Sequence, residues 1–140
     1  MFDEIKFVEA TRKLVDCDYS LGDTSKGYDC LSMLLQVYRE MGVIFPDEWN
    51  GWTEKNYGER WTKGEGRKEL IQFLKELGTP IEINFIRKGD IIVFENGAGI
   101  YLGNGYALGI WEKHELRGGK VFPLRHFLNK IQDIRRLIDG

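Results

Sequence analysis

The stretch Gly27–Gly42, GYDCLSMLLQVYREMG, decides how the rest of the chain is read. From Cys30 to Met41 the apolar residues Leu31, Met33, Leu34, Leu35, Val37, Tyr38 and Met41 cover most sides of a helix, so the spacing predicts a buried central helix. Asp29 stands before it as an N-cap and Gly42 ends it. A cysteine in the first turn of such a helix meets unpaired backbone N–H groups, and the positive end of the helix dipole favours a thiolate there. The same amides suit an oxyanion. A loop, then Asp-Cys, then a buried helix is what a cysteine hydrolase uses. It is also the setting of an inert small residue at a helix start.

Working outward, Asp3 to Val15 carries Ile5, Phe7, Val8, Ala10, Leu14 and Val15 at helical period. Asp16 to Tyr28 is polar and reads as a loop. Arg67 to Leu77 is a further amphipathic helix with Leu70, Ile71, Phe73, Leu74 and Leu77 inward. Between them, Phe45 to Gly66 holds Trp49, Trp52, Tyr57 and Trp61 with neither helical nor strand period. A loop of this length is uncommon unless it is functional or packs on itself. The second half reads as strands. Asp90 to Glu95, Ala98 to Leu102 and Tyr106 to Trp111 are separated by the turn signals Asn96–Gly97 and Asn104–Gly105. Gly118–Gly119 reads as a third turn before Val121–Phe122, and Ile131 to Ile138 as a last strand or a short helix. Helices first and an antiparallel meander second give the α+β class. The expected organisation is one domain over 1–140 with a Trp-rich insertion at about 45–66.

Composition narrows the partners. The 140 residues are 42% hydrophobic with a net charge of −2 and interspersed signs, which argues against nucleic acid as a partner. No run approaches the roughly 20 apolar residues of a membrane span. The charged N-terminus lacks the pattern of a secretory signal, so the expectation is a cytoplasmic location on synthesis. Two cysteines, Cys17 and Cys30, are too few for a disulfide framework, and with two histidines they do not make a structural zinc set. No metal or cofactor is expected.

Four stretches in order carry a resemblance. They are Tyr19-Ser20-Leu21-Gly22; Gly27-Tyr28-Asp29-Cys30 with Val37-Tyr38-Arg39-Glu40-Met41-Gly42-Val43; Gly89-Asp90-Ile91-Ile92-Val93-Phe94; and Ala98-Gly99-Ile100-Tyr101-Leu102-Gly103-Asn104-Gly105. With this order and spacing the chain resembles the NlpC-like family of cell-wall cysteine peptidases. The Trp-rich insertion looks most like the phage-tail branch. The resemblance implies a papain-like fold and a substrate in the peptide stems of peptidoglycan. It puts Cys30 on the nucleophile and Tyr19 on the loop tyrosine that shapes the oxyanion site. The family's two histidine positions fall on Gly97 and Gly109.

A cysteine hydrolase needs a base to take the thiol proton and return it to the leaving amine, and glycine does neither. Asn96 does not titrate, and a carboxylate at Asp29 raises the neighbouring thiol pKa. His114 is the remaining candidate base, and His126 reads as a surface residue. The reading favoured by the sequence is therefore a degenerate peptidoglycan hydrolase, a phage-tail-associated domain serving in binding or tail-tip assembly. Its partners would be other tail proteins or a neighbouring copy, with peptidoglycan as a further ligand. Trp49, Trp52 and Trp61 are the candidate binding residues, since tryptophans are favoured in interface hot spots. The alternative is an active endopeptidase using Cys30 with His114 or a partner's histidine.

Overall fold

The computed structural model describes residues 2–20, 27–46, 48–49, 52–53, 66–95, 97–111 and 117–138, with backbone alone at 48–49, 52–53 and 66–67. Helix α1, Glu4–Arg12, starts at Asp3, whose side chain accepts the Lys6 N–H at 3.1 Å. Helix α2, Cys30–Glu40, is the central one: Met33, Leu34, Val37 and Tyr38 have no exposed surface. Gly42, at φ +71, takes the left-handed conformation just past its C-cap, Met41. Helix α3 covers Gly66–Leu74. Within the segment that showed no strand period, Glu48–Trp49 (β1) and Trp52–Thr53 (β2) pair as a short antiparallel ladder.

The strands that follow are β3 (Thr79–Pro80), β4 (Ile91–Phe94), β5 (Gly97–Gly103), β6 (Tyr106–Trp111), β7 (Gly118–Pro123) and β8 (Ile131–Arg136). They form one antiparallel sheet in the order β3-β8-β4-β5-β6-β7. The architecture is α+β, as the order of elements in the sequence implied. One face of the sheet, with Ile91, Val93, Ala98, Ile100 and Leu108, packs with the three helices into the main core. The other face carries a second cluster of Ile92, Ala107, Phe122 and Leu124, with Phe94, Trp111 and Phe127 packed against it.

One local reading changes, and one open alternative is decided. Gly118 and Gly119 are not a turn but the first residues of β7, paired with Trp111 and Ile110. They lie against the chain leaving α1. A Cβ at Gly119 would stand 1.7 Å from the Leu14 carbonyl oxygen, and one at Gly118 2.1 Å from that of Cys17. Backbone bonds seal the contact: the Gly119 N–H donates to Cys17 O at 2.9 Å and the Asp16 N–H to Gly119 O at 2.8 Å. The tail resolves as a strand beside β4. Arg136 on it reaches buried Asp90 with two N–H···O bonds of 2.9 Å, and Tyr38 donates to Gly89 O at 2.6 Å. The Gly89-Asp90 pair is thus a knot joining α2, β4 and β8. Among the described residues no helix is long and apolar enough to cross a membrane.

Candidate functional site around Cys30

Cys30 occupies the first position of α2 because Asp29 stops the preceding loop from continuing the helix backwards. The Asp29 carboxylate accepts the Ser32 N–H at 2.9 Å, and the Asp29 N–H donates to the Ser32 hydroxyl at 2.9 Å, a reciprocal capping box. Asp29 and Ser32 are both buried. The loop tyrosine is brought alongside. Tyr19 bridges Tyr28 in parallel, the Ser20 N–H donates to Tyr28 O at 3.0 Å and the Tyr28 N–H to Asp18 O at 2.8 Å. A Cβ at Gly27 would stand 2.3 Å from Asp18 O, so the two segments touch backbone to backbone. Arg117 lies over the Tyr19 ring, its Cζ 4.9 Å from the ring centroid.

On the sheet side, Gly97 is the first residue of β5. A Cβ built there would lie 3.9 Å from Cys30 Sγ, with no other heavy atom of the described residues within 4 Å. Gly109 is different. A Cβ there would meet Phe122 Cε1 at 3.1 Å and Trp111 Nε1 at 3.4 Å. These rings belong to the aromatic cluster of the second face, with Trp111 and Phe122 centroids 5.4 Å apart and Phe122 and Phe127 4.9 Å apart. The indole N–H of Trp111 is buried and finds no hydrogen-bond partner among the described residues. Among the described residues the position at 97 is open beside the sulfur, and the position at 109 is covered.

The thiol is held protonated. Burial first, and the Asp29 charge second, push the Cys30 pKa from 9.0 up to about 12, against the smaller opposing pull of the Ala98, Cys30 and Leu31 amides. These amides, from the helix start and from β5, surround the sulfur with N–H donors, which is the ingredient of an oxyanion site. A titratable base is what the described surroundings lack. His126 is exposed on the turn Leu124–His126. His114, Asn96, Tyr57 and Trp61 fall outside the described residues, and so do the side chains of Trp49 and Trp52. The Ala98 amide and Arg117 were not legible as site groups in the sequence. One is a backbone atom, and the other is an arginine that no motif singles out.

Comparison with known proteins places this geometry. The sequence model of the NlpC/P60 family matches residues 16–122, most of the chain. Several solved structures share the fold. An NlpC/P60 family protein from Bacillus cereus aligns with a TM-score of 0.68 at 15% identity, over 99% of this chain and 41% of that one. The chain thus spans less than half the length of that protein. RipD of Mycobacterium tuberculosis, a non-catalytic NlpC/p60 domain protein with an adaptation to peptidoglycan-binding function, aligns with a TM-score of 0.64 at 17% identity, over 98% of this chain and all of that one. RipB of the same organism, a peptidoglycan hydrolase, gives 0.64 at 17% identity over 97% and 65%. At such identities the likeness speaks for the fold. No protein of curated function matches the sequence.

Proposed function

Since the chain belongs to the NlpC/P60 family, we propose that it is a degenerate peptidoglycan hydrolase that binds peptide stems of the cell wall without cleaving them. The observation that carries this reading is the glycine beside the sulfur: a Cβ at Gly97 would lie 3.9 Å from Cys30 Sγ, and glycine brings no titratable group there. Absence of the base alone costs about 10²–10⁴-fold in rate. A thiol pushed up to about 12 adds to this, because only about one molecule in 10⁵ is thiolate at pH 7. What remains is a sulfur with the Ala98, Cys30 and Leu31 N–H groups beside it, donors of the kind that can hold a carbonyl oxygen. The fold is shared by a relative that binds peptidoglycan without catalysis and by one that hydrolyses it.

The test incubates the protein with insoluble peptidoglycan. Co-sedimentation without release of new amino termini is expected. Release of amino termini that stops on Cys30→Ala would overturn the reading. It would favour the active endopeptidase, in which His114 or a partner's histidine serves Cys30. A narrower reading rests on the sequence of the 45–66 insertion: incorporation in a phage tail, with Trp49, Trp52 and Trp61 meeting a tail protein or a second copy.

A further inference from the structure

We infer that two turns on the second face of the sheet form a docking surface for a membrane of anionic phospholipids. Ile83, Phe85 and Leu128 would enter the lipid, and Arg87, Arg125 and Lys130 would meet its phosphates. The inference does not use Cys30 and stands apart from the stem-binding reading.

The first observation is how the turns are held. The 3-10 turn Ile83–Phe85 runs directly into Ile86, and the successive turns Leu124–His126 and Leu128–Lys130 enclose Phe127. Ile86 and Phe127 both pack against the second cluster, so both turns are tethered to one sheet face. Backbone bonds stiffen them. The Phe85 N–H donates to Glu82 O, the Phe127 N–H to Leu124 O and the Lys130 N–H to Phe127 O, each at 2.9 Å, and the Arg136 guanidinium donates to Phe85 O at 2.9 Å. While Ile86 and Phe127 turn inward, their chain neighbours stay in solvent: Phe85 is 67% exposed and Leu128 52%, with Ile83 at 42%. Single apolar side chains on a surface are ordinary. Three of them on two stiff turns fixed to the same face make a surface that loses little freedom on docking.

The second observation is charge. Residues 82–88 and 124–131 hold four Lys and Arg against one acid, Glu82, in a chain of net charge −2. Lys88 is paired with Glu4. Arg87, Arg125 and Lys130 are exposed, and none is in an ion pair among the described residues. These cations select the occupant. A second copy docked through the same face would set like charges against each other. A folded acidic partner would need a pocket for each projecting side chain, because these stand on turns and do not line a groove. An anionic membrane meets both features: hydrocarbon takes projecting apolar groups without a matching pocket, and basic residues at their base are attracted to the lipid phosphates.

The experiment sediments the full chain with vesicles of phosphatidylcholine alone and of phosphatidylcholine mixed with phosphatidylglycerol. The anionic vesicles should bind at least about tenfold more tightly, and added salt should weaken the binding. Phe85→Ser should lower affinity for them by about tenfold, and Arg125→Gln combined with Lys130→Gln by about thirtyfold, with melting temperatures held because these side chains are exposed. Equal binding to both kinds of vesicle, or none to either, would overturn the inference. So would binding that Phe85→Ser and Leu128→Ser leave unchanged, since that is adhesion by charge alone. Retention on immobilised polyglutamate without vesicle binding would overturn it in favour of an acidic protein, and self-association abolished by Phe85→Ser, again without vesicle binding, in favour of a second copy.

Discussion

Placing a histidine at position 97 tests the geometry around Cys30 most directly. Its Cβ would lie 3.9 Å from Sγ, which brings a ring nitrogen within the roughly 3 Å at which a base meets its nucleophile. An imidazolium about 4 Å from a thiolate contributes about 4 kcal/mol at an effective dielectric of about 20. That equals about three pKa units, enough to bring Cys30 down from about 12 to about 9. At pH 7 this gives about a thousandfold more thiolate beside a protonated ring, and about a quarter of the rings are protonated at an ordinary pKa of about 6.5. Nucleophilicity falls with thiol pKa, by about twentyfold over three units. The net expectation for Gly97→His is roughly tenfold faster alkylation of Cys30 at pH 7.

The shape of the pH profile is more diagnostic than the rate. The parent's rate should climb steadily with pH, because one proton must leave a thiol of high pKa. The variant should show a shoulder between about pH 7 and about pH 9, where the thiolate–imidazolium pair stays at constant population. Iodoacetamide labelling read by mass spectrometry at Cys30, with Cys17 as internal reference, measures both. Superimposable profiles would refute the proposed approach of position 97 to the sulfur. Adding Gly109→His should bring no further gain and should lower stability, since Phe122 and Trp111 already occupy that space.

Three further outcomes follow from the same structure. Cys30 is raised to about 12 and Tyr38 is raised above 10.0, both chiefly by burial. The unfolded chain therefore releases these protons first as pH rises, and stability falls above about pH 9, by up to about 1.4 kcal/mol per unit for each group. Urea denaturation should show Cys30→Ala flattening the fall that begins near pH 9 and Tyr38→Phe the part that begins near pH 10; an unchanged slope in both would contradict the burial of these groups. Arg136→Ala takes the cation from the buried Asp90 carboxylate, which keeps the Arg87 N–H at 2.8 Å, and should cost about 3–5 kcal/mol, whereas a loss below about 1 kcal/mol would mean that the pair is surface-like. For the insertion, at least one of Trp49→Ala, Trp52→Ala and Trp61→Ala should weaken assembly by about 2 kcal/mol or more in analytical ultracentrifugation with the melting temperature held; unfolding by all three would make the segment core instead.

Local signals were enough to read much of this protein from its residues. Helix α2, its cap at Asp29 and its stop at Gly42 are written in a 16-residue stretch, because capping and apolar period act over a few residues. The hairpin between β5 and β6 was legible for the same reason: Asn104 at φ 53 and Gly105 at φ 84 take the left-handed pair that its turn requires. Long-range contact decided the rest. Gly118–Gly119 looks like any turn until the chain leaving α1 arrives against it and demands backbone without side chains. Within the 131–138 run, Ile131–Arg136 becomes a strand because β4 offers it a ladder and Asp90 a partner for Arg136. At Cys30 the helix dipole pointed toward a thiolate, and burial together with the Asp29 charge overrides it. Gly97 and Gly109 are the same letter in the chain, and only the packing around them sets one 3.9 Å from the sulfur and the other against the rings of an aromatic cluster.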